Sequence, residues 1–292
     1  MGSIEVFKKL IQNIRYRFLF FFFDNSLKNG LKLSKYSKNS LSKKIKFKFL
    51  EREFIAPLST QTLIAIDNIA SKKKQVFDLY NNLHKTPEIF DIGANIGYWS
   101  FSFLHINKNN INKIYCFEPH KLSFDLLTQN FKDEKKVKLF NYGLSNIDEV
   151  AQLSLPEWEQ KRPHNLGLYS VVSNSDKFSQ TIKLKKFDDH FVAKKNINYL
   201  FKIDVEGMEF KVLEGAKNFL SCKNNISIMI ELNSKIDGFT KIRNVDKSIK
   251  FLKNLNFKPF LYSNTTLSEI SYEELSNQIN QKINYDFLFK NF

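Results

Sequence analysis

The sequence predicts an α/β fold in which a mostly parallel β-sheet carries helices on both faces, preceded by a basic amphipathic N-terminal arm. Short apolar runs of strand length alternate with helical patterns from residue 88 onward, and an excess of lysine and arginine is confined to the first 50 residues. With 42% hydrophobic and 26% charged residues in a chain of 292, there are enough apolar side chains to bury a core.

Seven apolar runs have the length of β-strands. They span residues 88–92, 113–118, 137–142, 199–204, 226–232, 258–262 and 285–290. Helical periodicity lies between most of them, over residues 98–103, 120–131, 208–220 and 245–255. Strands that alternate with helices are typical of the crossover units that build a parallel sheet. Residues 151–184 interrupt this alternation with two further β-like stretches, which predict a hairpin at the edge of the sheet.

The N-terminal arm carries most of the net charge of +15. The first 50 residues contain twelve basic and two acidic side chains, so the rest of the chain contributes only +5. Apolar residues recur at helical spacing between Ile4 and Phe23. We therefore predict an arm and linker over residues 1–56 and a single domain over residues 57–292. Residues 4–23 are expected to contact an anionic membrane surface, or alternatively to pack on the domain or in a homodimer interface.

Composition excludes several classes of protein. No apolar run approaches the roughly 18 residues of a membrane-spanning helix, which excludes a multi-pass membrane protein. Cys116 and Cys222 are too few for a disulfide framework or a four-cysteine zinc site, and no histidine spacing indicates a metal. We expect a cytoplasmic protein, at most peripheral at a membrane. Asp204 and Glu206 could bind a metal, but no histidine or cysteine spacing supports one, and no metal site is predicted. The nearly neutral charge outside the arm disfavours a nucleic-acid partner.

A Gly-x-x-x-Gly turn follows the first of these strands, in the segment Phe90-Asp91-Ile92-Gly93-Ala94-Asn95-Ile96-Gly97. Ligands of open α/β sheets bind at the carboxyl ends of such strands. Asn95 stands where a dinucleotide-binding turn has its second glycine, which disfavours NAD. Asp91 can attract an ammonium group and the helix N-terminus a carboxylate, and S-adenosylmethionine carries both. We therefore predict that Asp91, Gly93, Asn95 and Gly97 bind this cofactor.

Glu118 ends the second predicted strand, 21 residues after Gly97. An acidic residue at this spacing is placed to accept both ribose hydroxyls of a nucleoside on its two oxygens. Together with the preceding turn, Glu118 predicts a two-point nucleoside site. The alternative is a surface glutamate that simply precedes Pro119.

Two carboxylates, Asp204 and Glu206, follow the fourth predicted strand and should face the same crevice as the cofactor. A carboxylate within hydrogen-bond reach of a reacting group can act as a general base. We predict that Asp204 and Glu206 supply this catalytic base. The alternative is that Glu206 and Glu209 favour the start of the following helix by capping it. Glu231 adds one more acidic residue at the end of the next strand.

Three histidines are weaker candidates. His164 and His190 are less favoured than the two carboxylates as the catalytic base, because neither is spaced to a partner residue. His120 is expected to begin a helix beside the ribose site.

Five motifs of this chain resemble those of the FkbM-type methyltransferases. They are Asp91-Ile92-Gly93-Ala94-Asn95-Ile96-Gly97-Tyr98, Phe117-Glu118-Pro119, Asn141-Tyr142-Gly143-Leu144-Ser145, Asn165-Leu166-Gly167 and Lys202-Ile203-Asp204-Val205-Glu206-Gly207. The resemblance spans residues 88–231, with a weaker similarity at 285–289, and it does not extend to residues 1–56. Phe187 is a mild departure, because the family often has leucine before an Asp-Asp pair.

The resemblance implies a seven-stranded Rossmann-like class I methyltransferase fold with S-adenosylmethionine as the methyl donor. It also implies O-methylation of a hydroxyl on a sugar, a glycan or another metabolite, and Gly143 is assigned with it to the cofactor site. Two alternative functions stay open. One is a nucleic-acid methyltransferase, although the sequence lacks the Asn/Asp-Pro-Pro-Tyr/Phe tetrapeptide of enzymes that methylate base amino groups. The other is a membrane-associated binding module that has the same fold without catalysis.

Overall fold

A computed structural model describes nine segments of the chain. They are residues 44–49, 52–57, 87–107, 110–155, 166–172, 179–232, 241–263, 266–281 and 286–292. All of them belong to one compact unit, Leu41–Phe292. The predicted amphipathic helix of residues 4–23 lies outside the described residues.

The central sheet of the described chain has eight strands. In spatial order they are β13 (Thr266–Glu269), β12 (Lys258–Ser263), β14 (Asp286–Lys290), β11 (Ile226–Glu231), β10 (Tyr199–Ile203), β3 (Glu88–Ile92), β4 (Lys113–Phe117) and β5 (Val137–Phe140). The pairings from β5 to β11 are parallel. β14 is antiparallel to both β11 and β12, and β13 is antiparallel to β12. Each predicted run is a strand here, and β13 is one strand more than the seven predicted.

Helices connect these strands and cover the sheet. They are α1 (Tyr98–Asn107), α2 (Lys121–Asn130), α3 (Glu209–Gly215), α4 (Lys217–Leu220), α5 (Lys241–Asn254) and α6 (Tyr272–Gln281). The longest of these described helices has 14 residues, and none combines the length and hydropathy of a membrane-spanning segment.

Both faces of the central sheet are buried, and β3 shows this most clearly because all five of its residues are buried. Phe90 and Ile92 join a cluster with residues of α3 to α6, whereas Ile89 joins a second cluster with residues of α1 and α2. A strand covered on both faces needs apolar side chains at successive positions rather than at alternate ones. This explains why the parallel strands are continuous apolar runs in the sequence.

A second sheet of four strands lies between β5 and β10 in the chain. Its spatial order is β6 (Gly143–Ser145), β9 (Gln180–Lys186), β7 (Glu149–Ser154) and β8 (Ser170–Val172). The predicted pairing of the two β-like stretches is present as the antiparallel pair of β7 and β9. The predicted position at the edge of the central sheet is wrong, because these strands pair with β6 and β8 in a sheet of their own.

An N-terminal hairpin is formed by the antiparallel strands β1 (Lys44–Phe49) and β2 (Arg52–Pro57). Phe54 and Ala56 of β2 are buried in the cluster beneath α1 and α2. Residues up to 56 are predicted above to belong to the arm and linker, whereas Phe54 and Ala56 lie in the core of the domain. Alternation along β2 brings them to the same face of the strand.

Candidate active site

The carboxyl ends of β3 and β10 lie where the strand order of the central sheet reverses. The chain continues from β3 to β4 and β5 on one side, whereas β10 and β11 lie on the other side. Connecting segments diverge at such a switch point and leave a crevice, which is where open α/β sheets bind ligands. The glycine turn (residues 93–97) and the acidic segment after β10 meet here, because the Asp204 amide donates to the Ile92 carbonyl at 3.1 Å.

The glycine turn has a left-handed backbone at three residues, with φ of 79° at Gly93, 52° at Asn95 and 95° at Gly97. A Cβ atom on Gly93 would lie 1.9 Å from the Asp204 carbonyl oxygen, and one on Gly97 would lie 2.4 Å from the Phe131 ring. Asparagine is one of the few other residues that tolerate this conformation. Both glycines are therefore required by contacts within the protein, before any ligand is considered.

Glu118 connects the glycine turn to the end of β4. One of its carboxylate oxygens accepts a hydrogen bond from the Asn95 amide and the other from the His120 amide, each at 2.8 Å. Burial raises the pKa of Glu118 to about 7, even though the two amide donors favour its charged form. Each oxygen can accept a second hydrogen bond, so Glu118 retains acceptor capacity for the hydroxyl groups of a ligand.

Asp91 lies two residues before the glycine turn and is completely buried. Ser100 Oγ donates to one carboxylate oxygen at 2.6 Å. The Lys202 ammonium group lies 3.5 Å from the other oxygen, which accepts no hydrogen bond from the described residues. Burial raises the pKa of Asp91, and the charge of Lys202 opposes that rise. The structure gives Asp91 partners within the protein, not an exposed position where a ligand ammonium group could reach it directly.

Lys202 joins the two sides of the site, and the sequence analysis did not predict a role for it. Its ammonium group lies 3.3 Å from the Asp204 carboxylate and donates to the Gly93 carbonyl at 2.8 Å, besides contacting Asp91. Burial disfavours its charge, yet the two carboxylates outweigh burial and raise the pKa of Lys202. The signal in the sequence was a lysine within the otherwise apolar strand Tyr199–Ile203, which requires a buried acidic partner.

Three carboxylates gather at the ends of β10 and β11, and Asp204, Glu206 and Glu231 are termed the acidic cluster. One carboxylate oxygen from each residue lies within 4.8 Å of those from the other two, and each residue is partly exposed. Burial, followed by the neighbouring charge of Asp204, raises the pKa of Glu231 to about 9, so the cluster retains a proton at neutral pH. Oxygen atoms in this arrangement could also hold a hard divalent cation, the alternative left open above for Asp204 and Glu206, and Glu231 would be its third ligand.

The backbone turns sharply at the acidic cluster, where Glu206 and Gly207 have φ of 52° and 103°. Glu209 Oε1 accepts a hydrogen bond from the Gly207 amide at 3.0 Å and from the Val205 amide at 3.4 Å, at the start of α3. Glu209 therefore stabilises the turn that precedes α3, and its acidic group lies in the first turn of that helix. The Glu206 side chain lies in the acidic cluster instead.

Comparison with known proteins identifies the family of this chain. A family model described as the Methyltransferase FkbM domain matches residues 91–259, which is more than half of the chain. The chain belongs to the FkbM methyltransferase family.

One similar protein is named for a sugar acid. The chain is 26% identical over 184 residues to the hexuronic acid methyltransferase AglP of Haloferax volcanii, covering 61% of this chain and 70% of that protein. Among solved structures, the methyltransferase FkbM of Methylobacillus flagellatus is 13% identical with a TM-score of 0.43, over 70% of this chain and 43% of that one. A SAM-dependent O-methyltransferase of Thermotoga maritima is 8% identical with a TM-score of 0.36, over 75% and 63%. This chain therefore spans less than two thirds of either solved structure.

Gly143 of this FkbM methyltransferase lies in β6, within the second sheet. A Cβ atom on Gly143 would lie 2.7 Å from Leu184 Cδ2 and 3.5 Å from Pro119 Cγ. A side chain at this position would therefore collide with Leu184 of the paired strand β9, whereas its contact with Pro119 would be an ordinary one. The role of Gly143 in cofactor binding stays a prediction.

His120 lies immediately before α2, at the predicted helix start. Its ring is buried, with Nδ1 2.9 Å from Ser123 Oγ, and it stacks on Tyr169 with ring centroids 4.0 Å apart. Burial lowers the pKa of His120 to about 4, so this imidazole is neutral at pH 7. His190 is exposed after the short 3₁₀ turn that follows β9, and His164 lies outside the described residues.

Proposed function

We propose that this protein is an S-adenosylmethionine-dependent O-methyltransferase that methylates a hydroxyl group of a sugar, a glycan or another metabolite. The observation that carries the proposal is the convergence of the glycine turn, Glu118 and the acidic cluster at one switch point of the sheet. The family match supports methyl transfer. The name of the Haloferax volcanii relative supports a sugar as the acceptor.

The site fits S-adenosylmethionine by its donors, acceptors and charge. Glu118 would accept the ribose hydroxyls, and the N-terminus of α1 would offer backbone N–H groups to a carboxylate. The amides of residues 93–97 are already engaged within the protein. Carboxylates outnumber the ammonium group of Lys202 among the described residues of the site, which suits a cofactor with a positive sulfonium centre. Asp91 would stabilise the glycine turn indirectly, through its ion pair with Lys202. When bound, the cofactor supplies a methyl group that is already activated for transfer.

The acidic cluster would handle the proton of the acceptor hydroxyl. Asp204 and Glu206 are partly exposed at the crevice, and an ionised carboxylate within hydrogen-bond reach can take this proton as the oxygen becomes a nucleophile. The contact with Lys202 fixes the orientation of Asp204. Because the methyl group is activated, most of the rate enhancement would come from alignment of the acceptor in a closed site.

A labelled-donor experiment tests the proposed function. The protein is incubated with S-adenosylmethionine carrying an isotopically labelled methyl group and with neutral hexoses, hexuronic acids and their oligosaccharides. Mass spectrometry should find the label on a hydroxyl oxygen of one of these acceptors. Label in added RNA or DNA would favour the nucleic-acid alternative, and no binding of S-adenosylhomocysteine in calorimetry would overturn the proposed cofactor.

We further propose that the protein is cytoplasmic and that residues 4–23 of its arm lie on an anionic membrane surface. The net charge of +10 in the first 50 residues and the amphipathic spacing support this proposal. Co-sedimentation with phosphatidylserine vesicles should pellet the full chain, and the double variant Phe18→Asp with Phe21→Asp should stay in solution. Equal pelleting of both proteins, or equal pelleting with neutral vesicles, would contradict the proposal.

A further inference from the structure

One side chain joins the N-terminal hairpin β1–β2 to the glycine turn. Asn130, the last residue of α2, accepts a hydrogen bond from the Ile55 amide at 2.7 Å and donates to the Ile55 carbonyl at 3.0 Å. The same Nδ2 donates to the Ile96 carbonyl, within the glycine turn, at 2.9 Å. Both N–H groups and the oxygen of this amide are therefore engaged by main-chain atoms. Ile55 and Asn130 are 75 residues apart in the chain.

Aromatic contacts connect the hairpin to the same region. Phe54 stacks on Tyr98 with ring centroids 4.8 Å apart and meets Phe101 edge-on at 5.0 Å. Tyr98 is the first residue of α1 and directly follows the glycine turn. The hairpin is therefore packed on the residues at which the turn ends.

The glycine turn needs support from its surroundings. Asn95 has a left-handed backbone, which in a residue other than glycine persists only where neighbouring groups define it. Lys202 holds the Gly93 carbonyl at one end of the turn, and Asn130 holds the Ile96 carbonyl near the other end. Between these two points the Asn95 amide contacts Glu118, the residue proposed to bind the ribose.

We propose that the hairpin β1–β2 is a positioning element of the cofactor site and that Asn130 is the positioning residue through which it acts. This inference rests on the proposed function. Loss of the Asn130 contacts would release Ile96 and allow the turn to relax away from Glu118. Cofactor affinity would then fall although no residue that contacts the cofactor had been changed.

The first test compares Asn130→Asp with Asn291→Asp in the full chain. Aspartate at position 130 cannot donate and would face two carbonyl oxygens. Asn291 is a matched control, because it accepts from the Ile226 amide at 2.8 Å and donates to the Asn224 carbonyl at 3.0 Å, at the opposite end of the sheet. We expect the Kd for S-adenosylhomocysteine to rise at least about tenfold in Asn130→Asp and to stay within about twofold in Asn291→Asp.

The second test removes the same contact from the hairpin side. Ile55→Pro deletes the amide that donates to Asn130, and this amide points away from β1, so the hairpin pairing is kept. Ile55→Ala loses the side chain but retains the amide and serves as its control. The Kd should rise at least about fivefold more in Ile55→Pro than in Ile55→Ala. The comparison of Ile55→Pro with Ile55→Ala tests the role of the hairpin if Asn130→Asp does not fold.

Amide hydrogen exchange adds a readout that a general loss of stability would not reproduce. Residues 93–97 should exchange faster in Asn130→Asp, whereas β10 and β11 should be unchanged. Wild-type affinity in a folded Asn130→Asp protein, or equally weakened cofactor binding in Asn291→Asp, would overturn the proposed role of the hairpin but not the proposed function. If the wild-type protein itself did not bind S-adenosylhomocysteine, the proposed function would fail, and this inference with it.

Discussion

Lys202 and Asp91 lie directly opposite each other in the parallel pairing of β10 and β3, with their charged groups 3.5 Å apart. Both side chains are buried, and a buried charge is tolerated only when an opposite charge and hydrogen bonds compensate it. The same ammonium group contacts the Gly93 carbonyl and the Asp204 carboxylate. One ion pair thus links the proposed cofactor turn to the proposed catalytic carboxylates.

Replacing Lys202 by methionine should lower the free energy of unfolding by about 3–5 kcal/mol, because Asp91 would stay buried without its cation. Urea unfolding followed by circular dichroism measures this loss. Lys186→Met is the control, since it breaks a more exposed pair with Asp189 at 3.5 Å and should cost less than about 1 kcal/mol. Equal losses in the two variants would show that the buried pair contributes no more than the surface pair.

Glu118→Gln should weaken S-adenosylhomocysteine binding by about tenfold or more. Glutamine keeps one acceptor oxygen, but its NH₂ group would face either the Asn95 or the His120 amide, both of which donate to Glu118. Calorimetry measures the affinity. Glu88→Gln is the matched control, because Glu88 is also buried but lies at the amino end of β3. Wild-type affinity in a folded Glu118→Gln protein would refute the ribose assignment.

The acidic cluster should affect turnover more than binding. Asp204→Asn and Glu206→Gln should each lower the rate of methyl transfer by roughly 10² while changing cofactor affinity only a few-fold, because the base acts mainly in the transition state. Rates are measured with the acceptor found in the labelled-donor screen, and the exposed Asp189→Asn provides the control. Unaltered rates in both variants would mean that these carboxylates are not the base.

His120→Gln should make stability less sensitive to acid. The folded-state pKa of about 4 lies below the ordinary value of 6.5, so the unfolded chain binds a proton first as the pH falls. The stabilising contribution of neutral His120 is complete above pH 6.5 and is lost as the pH falls towards 4. Between pH 7.5 and 5 this residue alone should cost the wild type about 2 kcal/mol.

Urea unfolding at these two pH values, on the wild type and on His120→Gln, gives the contribution of His120 as a difference of differences. The comparison is needed because burial raises the pKa of Asp91 and of Glu118, which acts in the opposite direction. An identical loss of stability in both proteins would contradict the prediction.

Local sequence patterns were enough to predict the parallel strands and the acidic residues that end or follow them. A strand covered on both faces is a continuous apolar run, and the first polar residue after it marks its end, as at Asp204 and Glu118. Both features depend only on neighbouring residues in the chain, so they can be recognised in a single sequence. The short strand β13 was not predicted from the sequence, because its residues Thr266–Glu269 are mostly polar and exposed. They form a strand only by pairing with β12.

Contacts between distant segments decided the rest. Three features join residues that are far apart in the sequence: the ion pair of Asp91 with Lys202, the pairing of β9 with β6 in a separate sheet, and the hydrogen bonds of Asn130 to Ile55. Whether a polar side chain faces a ligand or another part of the protein depends on which segments meet around it. The partner of a buried charge or amide is therefore set by long-range folding, because only the assembled core determines which opposite group lies within hydrogen-bond distance.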